Sequence, residues 1–139
     1  MSEGRLYLLA GPAVSLIVAC VFFLVWLHHR ERRYVPFFAV AFGAYAIAAL
    51  SQLLQIPPGV GINTMVSALI YTFGIFCLVE GVMARFGKAG AAPVLVVVSV
   101  LILGLLSYFM FVERNLVARI YVQNFGYGLM FLFAAVQIF

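Results

Sequence analysis

The sequence predicts an all-α fold, a polytopic bundle of about five transmembrane helices with its N-terminus outside. Three observations predict it. Of the 139 residues, 67% are hydrophobic and only 9% are charged, whereas a soluble domain averages roughly 45–50% apolar and about 25% charged. The apolar residues form continuous runs of about 20, the length at which a helix crosses hydrocarbon. All the charged residues but Glu80 and Arg119 fall outside those runs, and the basic ones set orientation. A membrane barrel is the other structure that satisfies its backbone in lipid, but its strands alternate apolar and polar residues over about 10 positions. No such alternation occurs here.

The expected spans are 6–27, 34–55, 61–84, 92–112 and 116–139. The first ends in a basic stop, His28-His29-Arg30-Glu31-Arg32-Arg33. It is too long for a signal-peptide core. Ile17-Val18-Ala19-Cys20 resembles a lipoprotein cleavage box, but the apolar run continues through Leu27, so cleavage there would bisect a good span. The second span carries Pro36 in its first turn, where a missing N–H costs little. Ile56-Pro57-Pro58-Gly59 ends it. The third ends at Arg85-Phe86-Gly87-Lys88-Ala89-Gly90. The fourth is almost featureless and stops at Glu113-Arg114-Asn115. The fifth is still apolar at Phe139. With no Lys, Arg or polar cap there, residues 1–139 are expected to be one transmembrane domain truncated at its C-terminal end.

Orientation follows from the basic residues. Arg30, Arg32, Arg33, Arg85 and Lys88 lie in the first and third loops, against Arg5, Arg114 and Arg119 on the other side. The positive-inside rule puts the denser set in the cytoplasm. The formal charge of +4 is therefore read as topogenic. No basic helix, zinc spacing or aromatic platform points to nucleic acid.

Little else in the chain could carry chemistry. There is no Gly-rich phosphate loop, Ser/His/Asp set or HExxH. Neither catalytic nor metal-binding residues are expected. Cys20 and Cys77 lie in apolar runs and read as packing residues. His28 and His29 point about 100° apart on a helix, so they share no ligand face. Glu80 reads as an interfacial carboxylate one turn from Arg85. Three helical faces are polar or small. The third span aligns Asn63, Ser67, Tyr71 and Gly74, continuing to Gly81 and Arg85. The second aligns Ala41, Ala44, Ala48 and Gln52. The fifth aligns Arg119, Gln123, Gly126, Met130, Ala134 and Gln137, flanked by Asn124 and Tyr127. Close helix packing is the default for such faces. The sharper alternative is a ligand cleft built from Gln52, Asn63, Ser67, Tyr71, Arg119, Gln123 and Tyr127. Gln123 and Gln137 are expected to find partners inside the bundle, because an amide facing hydrocarbon is costly.

Three stretches carry a family resemblance. One is His28-His29-Arg30-Glu31-Arg32-Arg33-Tyr34-Val35-Pro36-Phe37-Phe38. Another is Glu80-Gly81-Val82-Met83-Ala84-Arg85-Phe86-Gly87-Lys88. The third is Asn115-Leu116-Val117-Ala118-Arg119-Ile120. Together the layout resembles the N-terminal membrane region of bacterial GGDEF diguanylate cyclases. The resemblance implies a membrane anchor and signal-sensing module in the bacterial inner membrane. It also implies a cyclase domain downstream, which would hold GTP and Mg and bring two subunits together as a homodimer. No cofactor is expected in these residues. Other readings are the membrane module of a sensor histidine kinase, or a small transporter or channel subunit. The last would want a charged or broken mid-membrane helix, and none is evident.

Overall fold

The computed structural model describes residues 3–88 and 92–139. Among these, five helices account for nearly everything: α1 (Glu3–His28), α2 (Val35–Leu54), α3 (Val60–Arg85), α4 (Ala92–Phe111) and α5 (Leu116–Ile138). The expected spans coincide with them to within a few residues. The end of the third loop, Ala89 to Ala91, lies outside the described residues.

Local chemistry explains the boundaries. Pro36 sits in the first turn of α2, where its fixed φ suits a helix start. Gln55 closes α2 in the left-handed region, φ 54°, and the Ile56 N–H returns to Ser51 O at 3.1 Å. The end of α3 is a complete Schellman motif. Gly87 takes φ 69°, its N–H reaches Ala84 O at 3.1 Å, and Lys88 N–H reaches Met83 O at 2.9 Å. Asn115 caps α5 by accepting from Ala118 N–H at 3.1 Å.

Helices α1 to α4 are long and apolar enough to cross a membrane. The 23-residue α5 is long enough but is not among them, because Gln123, Asn124 and Gln137 dilute its apolar run. The lipid-facing character of the bundle shows in its surface. Leu101, Val97 and Phe125 are each about 60% exposed or more, an outer face that water would not support.

The helices form a row rather than a ring. Among the described residues, α1 touches α2 alone, α2 lies between α1 and α3, and α3 also meets α4 and α5. One core, built around Val79, Met83, Leu95, Ile102, Leu106 and Met130, joins α3, α4 and α5. The α2–α3 seam is of another kind. Ala41, Ala44 and Ala48 are buried there. A Cβ on Gly74 would stand 3.2 Å from the Ala41 carbonyl oxygen, so the two backbones nearly touch, as small residues permit in membranes.

The two loops expected in the cytoplasm are tied together at one end. Arg85 donates to the Tyr34 hydroxyl at 3.4 Å, and its guanidinium lies 5.5 Å from the centre of that ring. Arg32 reaches the same hydroxyl at 3.5 Å. Orientation is testable in a variant lacking Cys20 and Cys77. A cysteine at position 58 is expected to react with an impermeant maleimide from outside the cell, and one at position 32 is not. The reverse pattern would invert the topology.

Candidate functional site

The polar residues of the membrane interior are few, and hydrogen-bond arithmetic fixes how they are used. The Thr72 hydroxyl has one proton, and it goes to Ala68 O at 2.7 Å, an acceptor that has nothing to give back. Thr72 therefore accepts from the Tyr127 hydroxyl, 3.0 Å away. With its own proton so committed, Tyr127 accepts from the Gln123 amide at 3.2 Å. The result is a one-way relay from α5 to α3, Gln123 to Tyr127 to Thr72 to the Ala68 carbonyl. Each group matches its single available role, and such chains polarise one another in low dielectric. Tyr127→Phe removes two of these bonds at once. It is expected to destabilise the bundle by about 1–2 kcal/mol, given about 0.6 kcal/mol for an average membrane side-chain bond plus the amide left behind. Unfolding by steric trapping in bicelles reads this, and an unchanged stability would refute the relay.

Next to this relay, at the end formed by the α2–α3 and α4–α5 turns, is a cavity of about 100 Å³. Its polar lining is Gln52, Thr64, Arg119 and Gln123, and its apolar wall includes Met65, Ala68 and Leu106. A second cavity of about 310 Å³ adjoins it, lined by Val60, Gly61, Met110, Phe111, Arg114 and Arg119. Arg119 is the residue common to both. One of its terminal nitrogens donates to the Met110 thioether, and its Nε is buried without a partner. A thioether is a weak acceptor, and an unmet buried donor costs about 1–3 kcal/mol, more when charged.

The expected seven-residue cleft is thus divided. Gln52, Arg119 and Gln123 meet at one cavity, with Tyr127 attached through the relay. Asn63 is buried but serves the α2–α3 turn, its amide donating to Ser51 O at 3.0 Å and Pro57 O at 3.3 Å. Ser67 is fully buried, and its hydroxyl has no partner. It serves as a small packing residue. Tyr71 belongs elsewhere, with Tyr45 at a ring distance of 5.4 Å. Both line an apolar groove of about 510 Å³ between α1 and α3, floored by Ala41 and Phe42 of α2.

Two further expectations need correction. Gln137 is exposed rather than inside the bundle. It lies one residue from the end of α5, beside Ile138, which still packs against the core. Gln52, although it lines a cavity, is also exposed, because α2 makes no contact with α4 or α5 and its last turn is left open. Glu80 is half-buried with Oε1 unpartnered. Arg85 turns to Tyr34 instead.

Sequence reasoning missed Thr72, Thr64, Met110 and Tyr34. Thr72 stands between Tyr71 and Phe73 on α3, off the polar stripe, and only the lateral position of Tyr127 reveals its use. Among the described residues, no group of three or more His, Cys, Asp or Glu could hold a metal ion. His28 and His29 are exposed, with rings 5.4 Å apart at 87°. The cavities offer hydrogen bonds and two positive charges, Arg114 and Arg119, groups suited to binding an anion. Comparison with protein-family models, with curated proteins and with solved structures finds no match to this chain.

Proposed function

We propose that this polytopic membrane module is the signal-receiving and anchoring part of a signalling protein of the diguanylate cyclase type, set in the bacterial inner membrane. The observation that carries the receiving role is the Arg119 cavity. It gathers the polar side chains of α2, α3 and α5 at one end of the bundle and joins them to the core through the Tyr127 relay. A ligand there acts by favouring one packing of α5 on α3 over another, which requires that it bind the two packings unequally. The link to a cyclase rests on the resemblance around Arg30–Phe38, Glu80–Lys88 and Asn115–Ile120. A cyclase output also suits this mechanism, since a change in helix packing would alter how two GTP-loaded domains meet.

Reading the gene past codon 139 tests the link. An in-frame GGDEF domain is the expected result. A histidine-kinase domain would keep the receiving role and remove the cyclase. A stop codon, with a stable and functional protein, would overturn the proposal.

A further inference from the structure

We propose that the Arg119 cavities form an oxyanion-binding site, taking a carboxylate or phosphate group attached to an apolar body. The inference deepens the receiving role by naming its ligand class. It does not depend on what output domain the protein uses.

The argument begins with the charge. Arginine carries five N–H donors in a planar fork that matches a carboxylate or phosphate. In a bundle interior such a fork is normally met by a carboxylate or by carbonyl oxygens. Here one terminal nitrogen meets a thioether, and Nε is buried and unmet. Neither cavity is lined by Asp or Glu. Of the four acidic residues in the chain, Glu31 and Glu80 lie toward the opposite end of the bundle. Glu3 begins α1, which touches only α2. Glu113 shares the α4–α5 turn but is exposed and lines neither cavity.

Arg119 is also half-buried rather than exposed. Arg114, in the preceding turn, is exposed. Arg119 instead stands between two cavities, each of which sets polar groups beside apolar walls. The smaller offers the amides of Gln52 and Gln123 and the Thr64 hydroxyl, groups that complete the solvation of an oxyanion. The larger is walled by Val60, Met110 and Phe111, with Arg114 at its side. It fits an apolar body attached to that anion. A fatty-acid carboxylate and the phosphate of an anionic lipid both have this form.

The experiment uses the purified chain in nanodiscs. In discs of phosphatidylcholine, octanoate is titrated by calorimetry. Separately, thermal stability is compared between phosphatidylcholine and phosphatidylglycerol discs. Saturable octanoate binding identifies a free carboxylate ligand, whereas stabilisation by phosphatidylglycerol alone identifies a lipid source. In either arm Arg119→Gln is expected to abolish the effect. Arg119→Lys, which keeps the charge but loses the fork, is expected to weaken it about tenfold, the size of one lost charge-assisted hydrogen bond. If Arg119→Gln does not fold, Arg119→Lys and Arg114→Gln carry the test. No saturable effect in either arm, or an effect indifferent to these variants, overturns the site. A negative result here alongside a GGDEF domain in the gene would leave the proposed signalling role standing and remove only the ligand class.

Discussion

Gly74→Leu is expected to force α2 away from α3 and to cost the bundle about 3 kcal/mol, the upper part of the range for overpacking a well-filled interior. The reason is what stands opposite. A Cβ at position 74 would meet the Ala41 carbonyl oxygen at 3.2 Å and the Ala44 methyl at 3.3 Å. A side chain in the way can rotate, but a backbone carbonyl moves only with its helix. Shifting α2 carries α1 with it, because among the described residues α1 packs on no other helix. Gly104→Leu is the matched control. Nothing lies within 4 Å of a Cβ there, so the same substitution on α4 is expected to change stability by no more than about 0.5 kcal/mol. Equal effects at the two sites would show that the α2–α3 seam is not a close backbone contact.

Gly126→Leu should act on the other half of the bundle, separating α5 from α4. A Cβ at position 126 would overlap Cγ1 and Cδ1 of Ile102. Ile102 is buried in the core shared by α3, α4 and α5. The obstacle here is a side chain, so the loss is expected to be partly reversible. Ile102→Ala alone opens a cavity and costs about 2–5 kcal/mol. Combined with Gly126→Leu it should recover about 1 kcal/mol or more relative to the sum of the single changes, the coupling expected of residues in contact. Gly128→Leu, two residues on with open space around it, is expected to be neutral. The double-mutant cycle in bicelles decides this. Strict additivity would mean that the two residues do not meet.

The helices were legible in the sequence because lipid imposes a simple rule. Any segment that crosses must be long, apolar and internally hydrogen-bonded, and each break here is marked by charge, proline or glycine. The small faces were also legible. Ala41, Ala44 and Ala48 are buried, as are Gly126, Met130 and Ala134, at the helical spacing that the sequence displays. Which faces meet was not legible. Periodicity places Tyr71 on the same stripe as Ser67, but only the position of α1 beside α2 puts it in an apolar groove away from Arg119. Likewise Asn63 and Gln52 look equivalent as polar residues near a helix end. The fold of the Ile56-Pro57-Pro58-Gly59 turn brings the Ser51 and Pro57 carbonyls to Asn63 and leaves Gln52 exposed. Lateral order among membrane helices depends on pairwise fit, and pairwise fit is not written in one helix at a time.

The row arrangement divides the molecule mechanically into a block and a leaf. The α3–α4–α5 block shares one core, so a load on any of its helices is carried by two others. Helix α1 is fastened along one side only, and α2 is the hinge plate between it and the block. Lateral pressure from the surrounding lipid on α1 therefore reaches the block through α2 alone, across the α1–α2 and α2–α3 seams. The Tyr45–Tyr71 groove, whose opposite walls are α1 and α3, is the space that such a force would widen or close.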